Sequence, residues 1–128
     1  MHTPNAIDYS VIRVVPFVER QEFINVGVIV FSRTLDFLDA RIDLSLKRLK
    51  IFSDQTDIGP IRKQLQVLLK ICHGEKECGF FNNLSKSERF NWLVAPSSTV
   101  IQASPVHTGL TKDPQKTLNE LYDIFVTV

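Results

Sequence analysis

The stretch Phe23-Ile24-Asn25-Val26-Gly27-Val28-Ile29-Val30-Phe31-Ser32 decides the fold class. Ile24, Val26, Val28 and Val30 recur at every second position, the period of a strand with one buried face. Half of its residues are β-branched, which suits a pleated and half-buried surface. Gly27 falls on the other face, where a missing side chain permits close approach of another backbone or a ligand. The chain's longest apolar run lies here, from Val26 to Phe31. It is far short of the roughly 18 residues that a membrane-spanning helix needs.

Upstream, residues 8–18 carry Val11, Ile12, Val14, Val15 and Phe17, apolar on both faces. That pattern predicts a central strand with Arg13 as its polar exception. Pro16 has no N–H for the ladder, so a bulge or the end of pairing is expected there. The polar link 19–22 suits an antiparallel hairpin, since a parallel crossover takes about a dozen residues. Residues 1–7 are expected to form a flexible N-terminal tail. Downstream, residues 36–44 alternate: Leu38, Ala40, Ile42 and Leu44 against Phe37, Asp39, Arg41 and Asp43. This is the third strand of a meander.

Helical spacing then takes over. Ser45 is positioned to cap a short helix with Leu46, Leu49 and Phe52 on one side. Asp57 or Thr56 opens a longer helix whose stripe is Ile58, Ile61, Leu65, Leu68 and Cys72, and Gly74 ends it. Residues 75–83 read as a loop. Ser85-Lys86-Ser87-Glu88 matches a capping box and starts a short helix through Trp92. Residues 99–102 suggest a fourth strand, and residues 103–109 a loop bounded by Pro105 and Gly109. Asp113-Pro114 opens a final helix with Leu118, Leu121, Tyr122 and Phe125 on one face. The expected class is α+β: an antiparallel sheet of three to four strands covered on one face by two main helices and short helical turns.

The chain has 128 residues, a length that fits a single domain spanning 1–128. Its 15 basic and 14 acidic residues give a net charge of +1, which does not favour a strongly basic nucleic-acid binder. No secretory leader is recognisable, and Cys72 and Cys78 do not make a disulfide framework. The cytoplasm is the expected compartment.

Polar residues concentrate between Arg89 and Gly109. Arg89 offers a guanidinium fork for phosphate or carboxylate. Trp92 offers a flat apolar surface beside it. Ser98, Thr99, Gln102, Ser104 and Thr108 offer hydrogen-bonding groups, and His107 offers an imidazole that can serve as a general acid or base. Recognition of a ligand is one reading of this set. Ordinary turn chemistry is the other, because turns use the same residue types to satisfy their own backbone. A Ser–His pair also needs an orienting acid and an oxyanion hole, and no Gly-x-Ser-x-Gly stretch occurs. Cys72, His73 and Cys78 lack the paired spacing of a zinc site. Asp39, Arg41 and Asp43 share a strand face, where the central arginine favours a charge ladder over a metal site. Lys47, Arg48, Lys50, Arg62 and Lys63 form a modest basic cluster that admits nucleic-acid contact without favouring it. No cofactor fingerprint is present.

Three segments together carry a resemblance. They are Tyr9-Ser10-Val11-Ile12-Arg13-Val14-Val15-Pro16, then Glu22-Phe23-Ile24-Asn25-Val26-Gly27-Val28-Ile29-Val30-Phe31, then Ser98-Thr99-Val100-Ile101-Gln102-Ala103-Ser104-Pro105-Val106-His107-Thr108-Gly109. With the helix opened by Asp113-Pro114, they resemble the bacterial domain-of-unknown-function family 3037. Where a typical member has a basic residue after the Ala-Pro pair, this chain has Ser97, which removes a cation from any anion role there. The resemblance implies no activity. It implies a small bacterial protein sometimes encoded beside a HipA-like kinase, hence a partner or antitoxin-like role.

Two functions follow as expectations. The first is a non-enzymatic interaction module whose partner is another protein. The alternative is a ligand-binding domain or small enzyme acting on a phosphorylated or nucleotide-like compound through Arg89, Ser104 and His107.

Overall fold

A computed structural model describes residues 4–96 and 99–127. Ten residues, Asn5–Val14, form strand β1; Ile24–Ser32 and Phe37–Ile42 form β2 and β3. Helices α1 (Lys47–Phe52), α2 (Ile58–His73) and α3 (Lys86–Leu93) follow. Two short strands, β4 (Ile101–Ala103) and β5 (His107–Thr111), precede helix α4 (Pro114–Phe125). The fold is α+β, with one open antiparallel sheet in the order β3-β2-β1 and both β4 and β5 on the far side of β1.

The sheet has five strands rather than three or four. The segment expected as a loop runs into β5, which pairs with the first half of β1: Asn5 opposite Thr111, Tyr9 opposite His107. β4 pairs with the second half, Ile12 to Val14. Residues 1–3 lie outside the described residues, while Asn5, Ala6 and Ile7 are paired strand.

β2 corrects the expectation of one uninterrupted apolar face. Ile12 stands opposite Gly27 and Arg13 opposite Asn25, which leaves Val26 as an extra residue. Such a bulge reverses the alternation beyond it. Ile24 and Val26 therefore join one core with Leu49, Leu65 and Phe90, while Val28 and Val30 join another with Ile7 and Leu118. Helices cover both faces instead of one: α1, α2 and α3 lie on the first core, and α4 on the second. Gly27 does allow a close approach. A Cβ there would lie 2.8 Å from the Arg41 carbonyl oxygen and 2.8 Å from Ile42 Cγ1.

Local signals place the helices. Asp57 Oδ1 accepts from Gly59 N at 3.1 Å, and Gly74 closes α2 in the left-handed region at φ 69°. Ser85 and Glu88 form the expected capping box. Asp113 caps α4. Ser45 does not cap α1. Its hydroxyl donates to Asp43 Oδ1 at 2.6 Å, and the cap position falls to Leu46, which is left-handed at φ 54° and buried. Burying Leu46 beside Leu49 offsets a backbone conformation that leucine otherwise avoids. The stretch expected as a loop before α3 contains 3₁₀ turns across Lys76–Asn83, kinked at Gly79.

Candidate functional site

The structure separates Arg89, Ser104 and His107 into three environments. Arg89 extends from α3 to the end of α2 and is 9% exposed. Its Nη1 donates to the Leu84 carbonyl at 2.8 Å, and its guanidinium carbon lies 3.4 Å from where a Cβ on Gly74 would stand. It braces the α2–α3 corner. Ser104 completes the sheet: its N–H donates to Val11 O at 2.8 Å, while its Oγ accepts from Val11 N at 2.9 Å. The Ser10 hydroxyl also donates to Ser104 O at 2.7 Å. His107 is exposed on β5, its ring 5.4 Å from that of Tyr9. Neither the groove nor the smaller hollow described below is lined by any of the three.

The remaining candidates divide similarly. Thr108 is exposed on β5. Gln102 Nε2 donates to Thr99 O at 2.9 Å, and Thr99 Oγ1 donates to Ile101 O at 2.7 Å, so both brace the approach to β4. Ser97 and Ser98 lie outside the described residues. In the basic cluster, Arg48 Nη1 donates to Val126 O at 2.8 Å and Arg62 Nε to Leu44 O at 2.8 Å. These arginines tie elements together, whereas Lys47, Lys50 and Lys63 are exposed.

Asp39, Arg41 and Asp43 do not form a ladder with one another. Asp39 Oδ1 is 2.8 Å from His73 Nε2, Arg41 lies over the Tyr122 ring at 4.1 Å, and Asp43 accepts from Ser45. Both cysteines are free. Burial pushes the Cys72 thiol up to about 12, aided by the charge of Asp39 and opposed by Arg89. Among the described residues, no three His, Cys, Asp or Glu side chains gather as a metal site requires.

A groove of about 580 Å³ is the larger concave feature that these elements create. Its wall along α2 is Lys63, Gln64, Val67, Leu68 and Ile71; the facing wall includes Trp92, Leu93, Ala95 and Pro96, with Ile101 beyond. A smaller hollow of about 340 Å³ shares Val67 and Ile71 and reaches Cys78 and Phe81. Trp92 is 55% exposed and stands edge-on to Phe81, with ring centroids 4.6 Å apart. At the rim of the smaller hollow, Lys70 and Glu77 pair at 2.9 Å. Their hydrogen bond holds the ammonium above its ordinary range and the carboxylate below.

The groove collects Trp92, Thr99 and Lys63 from the sequence candidates. Val67 and Ile71 were not among them. A signal for both exists: one turn apart, they form a second apolar stripe on α2 beside the one that packs on the sheet. Val67 is 51% exposed on the groove wall.

A family model described as "Protein of unknown function (DUF3037)" matches residues 9–126. No curated protein and no solved structure matches the chain. Among the described residues, no helix is long and apolar enough to cross a membrane.

Proposed function

This chain belongs to the DUF3037 family, and from that premise and the groove's geometry we propose that it is a non-enzymatic interaction module. It docks a short amphipathic helix of a partner protein between α2 and α3. The observation that carries this reading is the apolar lining of the groove, with Val67 and Trp92 left half-exposed on its two walls. From Lys63 to Ile71 it runs about 12 Å along α2, at 1.5 Å per residue. That length matches two turns of a bound helix presenting apolar residues at i, i+3 or i+4, and i+7. Charge narrows the partner further. Lys70 is matched by Glu77, whereas Lys63 makes no ion pair among the described residues. An acidic residue beside the partner's apolar stripe complements that rim.

The alternative, a phosphorylated or nucleotide-like ligand held by Arg89, Ser104 and His107, lacks a common pocket to support it. A HipA-like kinase, the partner implied by the family resemblance, is the first candidate to look for, and the setting proposed is the bacterial cytoplasm. The test is a photo-crosslinking residue at position 67 in cells, with a control at exposed Lys116 on α4. The expected result is one protein joined at position 67 and not at 116, with the crosslink mapped to an amphipathic helix. Its yield falls when Trp92→Ala is added. Crosslinking that is absent, or equal at both positions, rejects the reading.

A further inference from the structure

The two edges of the sheet differ in a way the groove does not explain. β3 carries Asp39 and Arg41, with Asp36 and Asp43 at its ends. Charges on an edge strand discourage pairing with another chain. The opposite edge carries no charge within its strands, with Lys112 and Asp113 only beyond the end of β5: residues 101–111 read Ile-Gln-Ala-Ser-Pro-Val-His-Thr-Gly-Leu-Thr. Leu110 is 71% exposed there. No strand pairs with the outer side of β5 among the described residues.

The ladder determines which backbone groups that edge offers. Ser104 N donates to Val11 O and Val15 N to Val100 O, so odd-numbered residues of β1 turn their backbone groups toward β4 and β5. Their partners in β5 are His107, Gly109 and Thr111. Backbone direction alternates along an antiparallel strand, so Thr108 and Leu110 turn their N–H and C=O groups outward.

We infer that a second copy of this chain occupies that edge. The two β5 strands pair antiparallel about a two-fold axis through Gly109, joining the two sheets into one. In this register Thr108 of each copy stands opposite Leu110 of the other, and their outward groups supply the hydrogen bonds. Gly109 meets its own counterpart at the non-hydrogen-bonded position, where backbones come closest, at about 4.5 Å between Cα atoms. The only residue without a side chain in β5 therefore lies where the least room exists. No like charges oppose one another, because β5 has no charged residue. Such an interface is isologous and closes at two copies.

Sedimentation equilibrium of the full chain tests this. The expected mass rises with concentration from 14.6 kDa toward twice that value. Thr108→Lys combined with Leu110→Lys sets lysines opposite one another and weakens association at least tenfold, while circular dichroism shows an unchanged fold. A wild-type chain that stays monomeric, or a dimer indifferent to both lysines, overturns the inference. Should the double variant fail to fold, amide exchange of the wild type decides instead. Thr108 and Leu110 amides must become slower as concentration rises, and concentration-independent exchange at both refutes the pairing.

Discussion

Ser104 supplies a side-chain oxygen where a regular strand would supply a carbonyl. β4 and β5 both pair with β1 but in registers that differ by one residue, and Ser104 fills the step between them. Removing its hydroxyl leaves the Val11 N–H buried without that acceptor. Ser104→Ala is therefore expected to cost about 1–3 kcal/mol, the penalty for stranding a buried polar group. Urea unfolding reads this directly, and a wild-type midpoint would refute the bridging role. Cys72 gives a pH prediction at the same scale. Its thiol titrates near 9.0 when unperturbed and is pushed to about 12 by burial. The neutral form's stabilisation is complete below the unfolded value and is lost as pH rises from 9.0 toward about 12. Over that window the wild type should lose about 1.4 kcal/mol per pH unit more than Cys72→Ala does. Parallel stability curves for the two proteins would contradict this.

The elements show which signals are local. Asp57, Ser85 and Asp113 cap the helices that their sequence context announces, because a cap depends on residues within one turn. The alternation of Leu38, Ala40 and Ile42 likewise survives into β3. The bulge at Val26 was not legible, since it depends on the register of β2 against β1, set by distant residues. β5 was hidden for a related reason. His107, Thr108 and Gly109 have turn-like composition, and only β1 as a neighbour makes them strand. Within the site, Trp92 stood out by type, but Val67 and Ile71 merged with the ordinary stripe of α2. Gly27 belongs to this scale because it governs how close β2 and β3 lie. Gly27→Ala drives a methyl against the backbone of β3, with an expected cost of about 1–3 kcal/mol from overpacking. A thermal melt within error of wild type would show that β3 can move away.

At the scale of the whole molecule, helices on both faces of one sheet leave two features of interest open among the described residues. One is the apolar groove between α2 and α3; the other is the uncharged edge at β5. A net charge of +1 provides little long-range steering, so the proposed docking would rest on short-range contacts, apolar in the groove and charged at its Lys63 rim. Trp92 is the single tryptophan of the chain and stands on the groove wall, where the proposed docking would make it both anchor and reporter. Truncating an aromatic anchor at the centre of an interface usually costs about 2–4 kcal/mol, or roughly 30-fold to 1,000-fold in affinity. The most direct measurement is the dissociation constant, by isothermal titration calorimetry, of the helix recovered by crosslinking at position 67, for wild type, Trp92→Ala and Val67→Glu. Each substitution is expected to weaken binding at least about 30-fold, with melting temperatures close to wild type. Affinity unchanged in both variants would contradict the assignment of this groove as the docking site.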